Sequence, residues 1–504
     1  MESFFAKYYR ITFWLIIIAE ILSFIGHIYG WLNTVIFICF SIVVLLLSIW
    51  KIEYGFWIAC TELFIGSFGY LFFYDVYDFR FSIRLAIFVS VFIGWIVYSI
   101  RNKKIEFFSL RITIPFCLFL GTLLLGAFIG FLRGNGAENV FFDINGYLYF
   151  GLMLVGPTVL TSWSKIKQLM QILFASVSAV CLKTFFLLFY FSHQTDENLI
   201  RLVYTWVRDT RVGEIAPIVS AYYRIFFQGH LWVLFALIIA IIILIKIPRQ
   251  QRDTLENISL WLLAIATSTT IIISFSRSIW LALAVTIATL FTFLVWKGNL
   301  RLKKLLKISG FMLLVTMLDF LIITAIVNVH LPGEGRGGVS AVSLVQKRIT
   351  TDEPAAKSRF QLLRPLINQY LENPIFGSGF AQTVSYQTLD PRTKDLNSGW
   401  YTTYSFEWGY LDILVKIGVV GLFAYLWLLI RILKKSIIAL TLNGHPAYSV
   451  VVTGFIFCLI ALVVTHATTP YLNHPLGILL IVLLAAIANP TLLHESQIKK
   501  ARST

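Results

Sequence analysis

The sequence predicts an all-α, polytopic integral membrane protein that forms a single membrane domain over residues 1–504. Of the 504 residues, 58% are hydrophobic and 13% are charged, whereas roughly a quarter of the residues in a soluble domain are charged. The mean hydropathy is +0.81, and apolar stretches of about 20 residues, the length that crosses the hydrocarbon core of a bilayer, recur along the chain. These observations exclude a soluble globular protein.

Fourteen apolar segments predict about fourteen transmembrane helices. They are residues 11–29, 32–50, 56–74, 81–100, 112–132, 146–162, 168–192, 231–247, 258–274, 279–296, 310–328, 409–430, 447–466 and 475–489. Two connections are long, an outer loop at 193–230 and a larger outer loop at 328–408. The five cysteines lie inside apolar segments without metal-ligand spacing, so neither disulfides nor a bound metal are expected.

The distribution of charge predicts the orientation of these helices. The connections on the side of the two termini carry 23 Lys and Arg against six Asp and Glu, and those on the other side carry 16 against 15. By the positive-inside rule, both termini are cytoplasmic and both long loops face outward. The net charge of +16 therefore reflects topology, and no nucleic-acid partner is expected.

The basic residues of the outward side are mostly arginine. Outside the larger loop, its connections contain eight Arg and no Lys: Arg80, Arg84, Arg133, Arg201, Arg208, Arg211, Arg224 and Arg277. A planar guanidinium binds phosphate or carboxylate better than an ammonium does, so the set predicts an anionic ligand on this side. The alternative is local ion pairing with acids such as Asp78, Asp209 and Glu214.

Two segments concentrate these arginines. In the loop 193–230, Arg208, Arg211 and Arg224 alternate with aromatic residues, which form either an interfacial belt or a surface that stacks on a sugar while the arginines bind phosphate. The segment Ser276-Arg277-Ser278 forms a tight connection, so Arg277 stays at the membrane edge beside a helix N-terminus, where an anion is favoured. The alternative for Arg277 is contact with lipid headgroups.

The larger outer loop contains three features. A glycine-rich stretch, Gly333–Gly338, is predicted to be a flexible linker. An amphipathic helix is predicted over about 354–372, carrying Arg359 and Arg364, and it lies along the membrane surface or caps a cavity. Glu407 then stands among aromatics just before the segment 409–430, either as a general base or as a carboxylate favoured by the helix dipole.

Further polar residues lie within or between the apolar segments. Asp412 and Lys416 are one helical turn apart and can form an ion pair. Glu62 and Lys183 are expected to pair across two helices. The histidines His466 and His474 are reserve candidates for acid–base chemistry.

These motifs together resemble the O-antigen ligase and O-antigen polymerase superfamily over about residues 200–435. The resemblance rests on the Ser276–Leu281 turn, on Ser358-Arg359, on Pro374–Gly379 fifteen residues later, and on Glu407 followed at four, eleven and fourteen positions by Leu411, Gly418 and Gly421. The family has a histidine at the position of Glu407 and usually an aromatic residue at that of Leu363. These departures favour a repeat-unit polymerase over a lipid A core ligase.

The resemblance implies a GT-C-like fold and an inverting, metal-independent glycosyl transfer without a cofactor, on the outer face of a bacterial inner membrane. The donor would be a glycan on polyprenyl (undecaprenyl) pyrophosphate, and the acceptor a hydroxyl of a glycan or glycolipid. A chain-length regulator would be a further partner. The alternatives are an O-antigen ligase and, from another class, a flippase that transports lipid-linked glycans.

The resemblance also assigns roles to residues. Arg277 and Arg359 would hold the pyrophosphate, and Glu407 would activate or orient the acceptor. The charge distribution adds further candidates for substrate binding, namely Arg224, Arg211, Arg208, Ser276, Ser278 and Arg364.

Overall fold

The computed structural model describes residues 3–66, 68–77, 79–103, 110–193, 196–219, 222–296, 302–329, 354–388, 398–442 and 446–488. Within these residues, ten helices are long and apolar enough to cross a membrane, and three shorter apolar helices accompany them. Together with the helix Ile52–Ile65, each of them overlaps one of the fourteen predicted segments, which confirms the all-α polytopic fold. The predicted linker Gly333–Gly338 lies outside the described residues.

The helices follow one another along the whole chain. They are α1 (Lys7–Ile28), α2 (Gly30–Trp50), α3 (Ile52–Ile65), α4 (Ile83–Asn102), α5 (Leu110–Leu132), α6 (Ala137–Ile144), α7 (Leu152–Val159), α8 (Trp163–His193), α9 (Glu197–Asp209), α10 (His230–Lys246), α11 (Thr254–Ile273), α12 (Arg277–Trp296), α13 (Leu302–Asn328), α14 (Pro354–Glu372), α15 (Gly409–Leu442), α16 (Pro446–His466) and α17 (Pro475–Ile487). A 3-10 helix, Asn145–Gly151, joins α6 to α7, so that Ala137–Val159 counts as one span. A second 3-10 turn, Arg249–Gln251, precedes α11.

Among the residues that the structure describes, three antiparallel hairpins lie in the connections, and the sequence did not predict them. They are β1–β2 (Phe73–Val76 and Phe79–Ser82), β3–β4 (Gly213–Val219 and Tyr222–Phe227) and β5–β6 (Val384–Gln387 and Trp400–Thr403). The register of β3–β4 shifts between Pro217 and Val219. We call the side of the bundle on which α14 and the β3–β4 hairpin lie the loop side.

The third predicted segment, 56–74, is wrong in its second half. Its helix, α3, begins at Ile52 and ends at Ile65. The chain then turns at Gly69, which has a φ of +84°. The side chain of Arg84 packs directly against this glycine. A side chain at this position would collide with Arg84, so the turn needs a glycine.

The core lies around α10 and α17. Both helices are apolar on every face, which is typical of a helix surrounded by protein. All residues of α17 are buried, and in α10 the residues from His230 to Ala240 are buried. The peripheral helices α1 and α2 bury only a few residues each, and their other residues are half-buried or exposed.

The larger loop is attached to the bundle at an interruption of α15. Gly418 has non-helical dihedral angles, φ +67° and ψ −171°. The carbonyls of Pro374 and Ile375 accept hydrogen bonds from the N–H groups of Val419 and Val420, at 2.9 and 3.1 Å. The backbone of the next residues, 378–380, donates to the carbonyls of Val415, Lys416 and Gly126, at 2.6, 3.1 and 3.1 Å. The motifs Pro374–Gly379 and Gly418–Gly421 are therefore two halves of one junction.

Candidate active site

The turn between α11 and α12 places Arg277 at a helix N-terminus. Phe275 adopts a left-handed conformation, with φ +49°. The Ser276 carbonyl accepts the N–H of Trp280 at 3.0 Å, which begins α12. Arg277 is the first residue of that helix and is half-buried. A helix N-terminus and a guanidinium each favour an anion, and here the two coincide.

The β3–β4 hairpin brings Arg224 to the same turn. Its Nε donates to the carbonyl of Ser274 at 3.0 Å, and its Nη1 lies 3.4 Å from the Glu214 carboxylate. The guanidinium also lies 5.0 Å from the centre of the Phe226 ring. Arg224 is therefore bonded to a residue that precedes Arg277 by three positions. The hairpin and the Ser274 carbonyl hold it there.

The connection between α16 and α17 completes this first group. The Thr469 hydroxyl donates to the Ser278 hydroxyl at 3.2 Å, and the Ser278 and Ser276 hydroxyls lie 3.1 Å apart. The Tyr471 hydroxyl donates to the carbonyl of Gln228 at 3.5 Å. The structure thus brings together Arg277, Arg224, Ser276 and Ser278.

A second group contains the other two principal candidates. Arg359 on α14 forms an ion pair with Glu407, and its Nη2 lies 3.1 Å from the Glu407 Oε1. Both side chains are about half exposed, at 47% and 48%. The indole N–H of Trp408 donates to the Arg359 carbonyl at 2.8 Å, which ties α14 to the start of α15. Glu407 is therefore open to solvent and bound to a cation, instead of being enclosed by aromatic side chains.

Behind this pair lies a buried ionic network that includes one residue the sequence analysis missed. The Lys416 Nζ lies 2.6 Å from Asp412 and 2.5 Å from Asp143. The pairing of Asp412 with Lys416 was predicted and is confirmed. Asn473 donates to Asp412 at 2.6 Å, and the N–H of Ala381 donates to Asp143 at 2.7 Å. The network thus joins α6, α15, the larger loop and the α16–α17 connection.

The network also contacts the residues next to Glu407. The Lys416 ammonium lies 5.4 Å from the centre of the Phe406 ring. Burial, and after it the charge of Asp143, raises the pKa of Tyr404 above its ordinary value. The segment that carries Glu407 is therefore held by two contacts, that of Phe406 with Lys416 and that of Trp408 with α14.

The predicted pairing of Glu62 with Lys183 is wrong. Glu62, at the end of α3, pairs with Arg84 in the first turn of α4 at 2.8 Å. Lys183 pairs with Glu20 on α1 at 2.6 Å and lies over the Trp206 ring. Each acid meets the base on the helix packed beside it, and hydropathy does not determine which helices are neighbours.

Three predicted binding residues lie apart from both groups. Arg208 pairs with the adjacent Asp209 at 2.8 Å, and the Arg211 guanidinium lies 5.2 Å from the Tyr70 ring centre. Arg364 is exposed on α14, five residues after Arg359 and hence on a different face of the helix. Local pairing with Asp209 and Glu214, the alternative considered for the outward arginines, is observed for Arg208 and Arg224.

The two reserve histidines take part in the structure of the α16–α17 connection. His466 is buried, and its Nδ1 accepts the N–H of Leu472 at 3.1 Å. Its ring packs against Gly409, two residues after Glu407, and edge-on to Tyr410. The His474 Nδ1 accepts the N–H of Leu476 at 3.3 Å at the start of α17. Through Thr469 and His466, this one connection contacts both groups of candidate residues.

The described residues contain no group of three or more His, Cys, Asp or Glu side chains that could hold a metal ion.

Comparison with known families bears on the region that contains the three principal candidates. Residues 262–426 match a family model described as O-antigen ligase, and this region contains Arg277, Arg359 and Glu407. No curated protein matches the chain significantly. The match from 262 to 426 confirms that this part of the chain is similar to the O-antigen ligase and polymerase superfamily.

Proposed function

We propose that the protein is an inverting, metal-independent membrane glycosyltransferase. It transfers a glycan from a polyprenyl pyrophosphate carrier to a sugar hydroxyl, and it polymerises the repeat units of a surface polysaccharide. The observation that carries this proposal is the solvent-facing ion pair of Arg359 with Glu407, which lies within the region similar to O-antigen ligases. The acidic residue at 407, where the family has a histidine, favours polymerase over ligase.

The arginines are suited to a pyrophosphate. Arg277 and Arg224 lie at one turn, beside the N-terminus of α12, and two positive groups can neutralise the charge that develops on the leaving group. The hydroxyls of Ser276 and Ser278 add hydrogen-bond donors at the same place. The loop side would face the periplasm, as the positive-inside rule predicts, in a bacterial inner membrane.

Glu407 and Arg359 can act through an exchange of partners. In the structure each neutralises the other. A diphosphate that approaches Arg359 offers this guanidinium a second anion, and the Glu407 carboxylate is then released toward the acceptor.

The chemical step follows from this exchange. The acceptor hydroxyl gives its proton to the Glu407 carboxylate as its oxygen attacks the anomeric carbon of the donor sugar. The bond from that carbon to the phosphate oxygen breaks, and polyprenyl pyrophosphate leaves with the electron pair. Attack from the face opposite the leaving group inverts the anomeric configuration.

The test uses the purified full chain in lipid nanodiscs with a polyprenyl-pyrophosphate-linked repeat unit. We expect longer lipid-linked glycans and free polyprenyl pyrophosphate. Arg277→Lys, which keeps the charge but loses the bidentate geometry, should lower turnover at least about a hundredfold. Glu407→Gln should abolish transfer while donor binding is retained. The matched control is Arg80→Lys in the β1–β2 hairpin, whose arginine pairs with Asp75.

The products distinguish the alternatives. Transfer that requires a lipid A core acceptor, without chain growth, would identify a ligase. Movement of the lipid-linked glycan across proteoliposomes without any new glycosidic bond would identify a flippase and contradict the proposal. Near-normal turnover of Arg277→Lys would remove Arg277 from the site, and activity in Glu407→Gln with loss in His466→Ala would move the base to the α16–α17 connection.

A further inference from the structure

The end of α14 and the turn after it present an apolar surface that no described element covers. Leu371, Ile375 and Phe376 are 62%, 59% and 50% exposed, and Ile367 lies one turn before them on the same face of α14. We call these four residues the loop ridge. Large exposed apolar side chains in a row indicate contact with something other than water.

The loop ridge is fixed between two membrane-spanning helices. The Nη2 of Arg133, the first residue after α5, donates to the Asn373 side chain at 2.8 Å. On the other side, the carbonyl of Ile375 accepts the N–H of Val420 within α15 at 3.1 Å. The ridge is therefore level with the end of one span and bonded to the interior of another.

The surface of these two spans continues the loop ridge. On α5, Phe128, Phe131 and Leu132 are exposed near the end that reaches Arg133. On α15, Val420 and Phe423 are exposed directly after the junction. In a spanning helix, exposed apolar residues face lipid. The loop ridge thus extends a lipid-facing surface beyond the spans and onto the loop.

The remaining faces of α14 match a helix at a membrane surface. Leu362 and Leu366 are buried against the loop and the first turns of α15. Beside the ridge, Lys357, Gln361 and Asn368 form an exposed polar side. A helix with one buried face, one apolar exposed side and one polar exposed side suits the interface between hydrocarbon and water.

We propose that the loop ridge inserts into the acyl region of the adjacent leaflet and anchors the larger loop on lipid. The occupant of this surface is phospholipid, because the ridge is continuous with the lipid-facing sides of α5 and α15. The anchor holds α14, and with it Arg359, at a fixed height relative to the bilayer. This inference concerns position and does not depend on the reaction proposed for the site.

A depth measurement tests the proposal in the full chain. The exposed cysteines Cys39 and Cys117 are first replaced by serine. Single cysteines are then introduced as Phe376→Cys, Leu371→Cys and, as the matched control on the polar side of α14, Asn368→Cys. Each carries an environment-sensitive fluorophore, and the protein is placed in phosphatidylcholine nanodiscs with or without lipid that bears a nitroxide on the acyl chain.

We expect acyl-chain nitroxide to quench the labels at 371 and 376 at least about threefold more than the label at 368, because the former lie within the roughly 30 Å hydrocarbon layer. Equal quenching at all three positions would overturn the proposal. Two ridge positions are used so that one poorly folded variant does not decide the result. Loss of glycosyl transfer would not change this readout, so its failure is distinguishable from failure of the proposed function.

Discussion

Replacement of Lys416 by methionine should be among the most damaging single changes on the loop side. Methionine fills a similar volume but removes the ammonium that lies 2.5 Å from Asp143 and 2.6 Å from Asp412. The Lys416 side chain is 4% exposed, and those of its two partners are 7% and 2% exposed. Two carboxylates would remain buried together without a counter-charge.

The magnitude follows from this burial. Removal of one partner from a buried ion pair costs about 3–5 kcal/mol, because the remaining charge is left without compensation. Net stabilities of folded proteins are of the order of 5–15 kcal/mol, so the variant would lose a large part of its stability.

The assay is thermal unfolding in detergent, followed by the fluorescence of the 14 tryptophans. The control is a triple variant that combines Lys416→Met with Asp143→Asn and Asp412→Asn and so removes all three charges. It should recover most of the lost stability, since a neutral replacement of a buried ion pair is often tolerated. A second control, Arg80→Met, breaks a pair that is far more exposed and should lower the midpoint much less. If Lys416→Met is no more destabilising than Arg80→Met, the reasoning is refuted.

Two further predictions concern the junction and the chemistry. Gly418→Ala should destabilise the protein by at least about 1–3 kcal/mol. Residues other than glycine rarely adopt φ +67° with ψ −171°, and the new Cβ would lie 2.2 Å from the Ile375 carbonyl oxygen. In the same unfolding assay, Gly310→Ala, where nothing lies within 4 Å, should be neutral or stabilising, and equal effects of the two would contradict the argument. Glycosyl transfer should be unchanged after dialysis against EDTA, since Arg277, Arg359 and Glu407 are proposed to act without a metal, and activity restored only by added Mg²⁺ would contradict this.

The fold could largely be predicted because membrane spans are specified by length and hydropathy. The error at 56–74 has a simple cause. Residues 66–72 are nearly as apolar as a membrane-spanning helix. A mean hydropathy over a window does not register the individual glycines, so it misses the turn at Gly69. The hairpins were missed for a similar reason, since short strands at the ends of spans, such as β1, share their apolar composition.

The site could be predicted only where its signals are local. Arg277 was identified from a tight connection, and Asp412 with Lys416 from a spacing of four residues. Asp143 lies 273 residues from Lys416 in sequence, and nothing near it indicates that the two meet. The pairing of Arg359 with Glu407 likewise depends on α14 packing beside α15, and this packing is fixed by the loop junction.

That junction also constrains the order in which the protein can be assembled. The residues 374–380 are synthesised before the residues 415–420 to which they bond. Until α15 follows, the carbonyls of Pro374 and Ile375 and the N–H groups of Ser378 and Gly379 lack their partners, whereas the N–H of Phe380 can already bond to Gly126 on α5. The junction can therefore close only after both segments have been synthesised. The interruption of α15 is thus a contact between distant parts of the chain that the N-terminal segment alone cannot form.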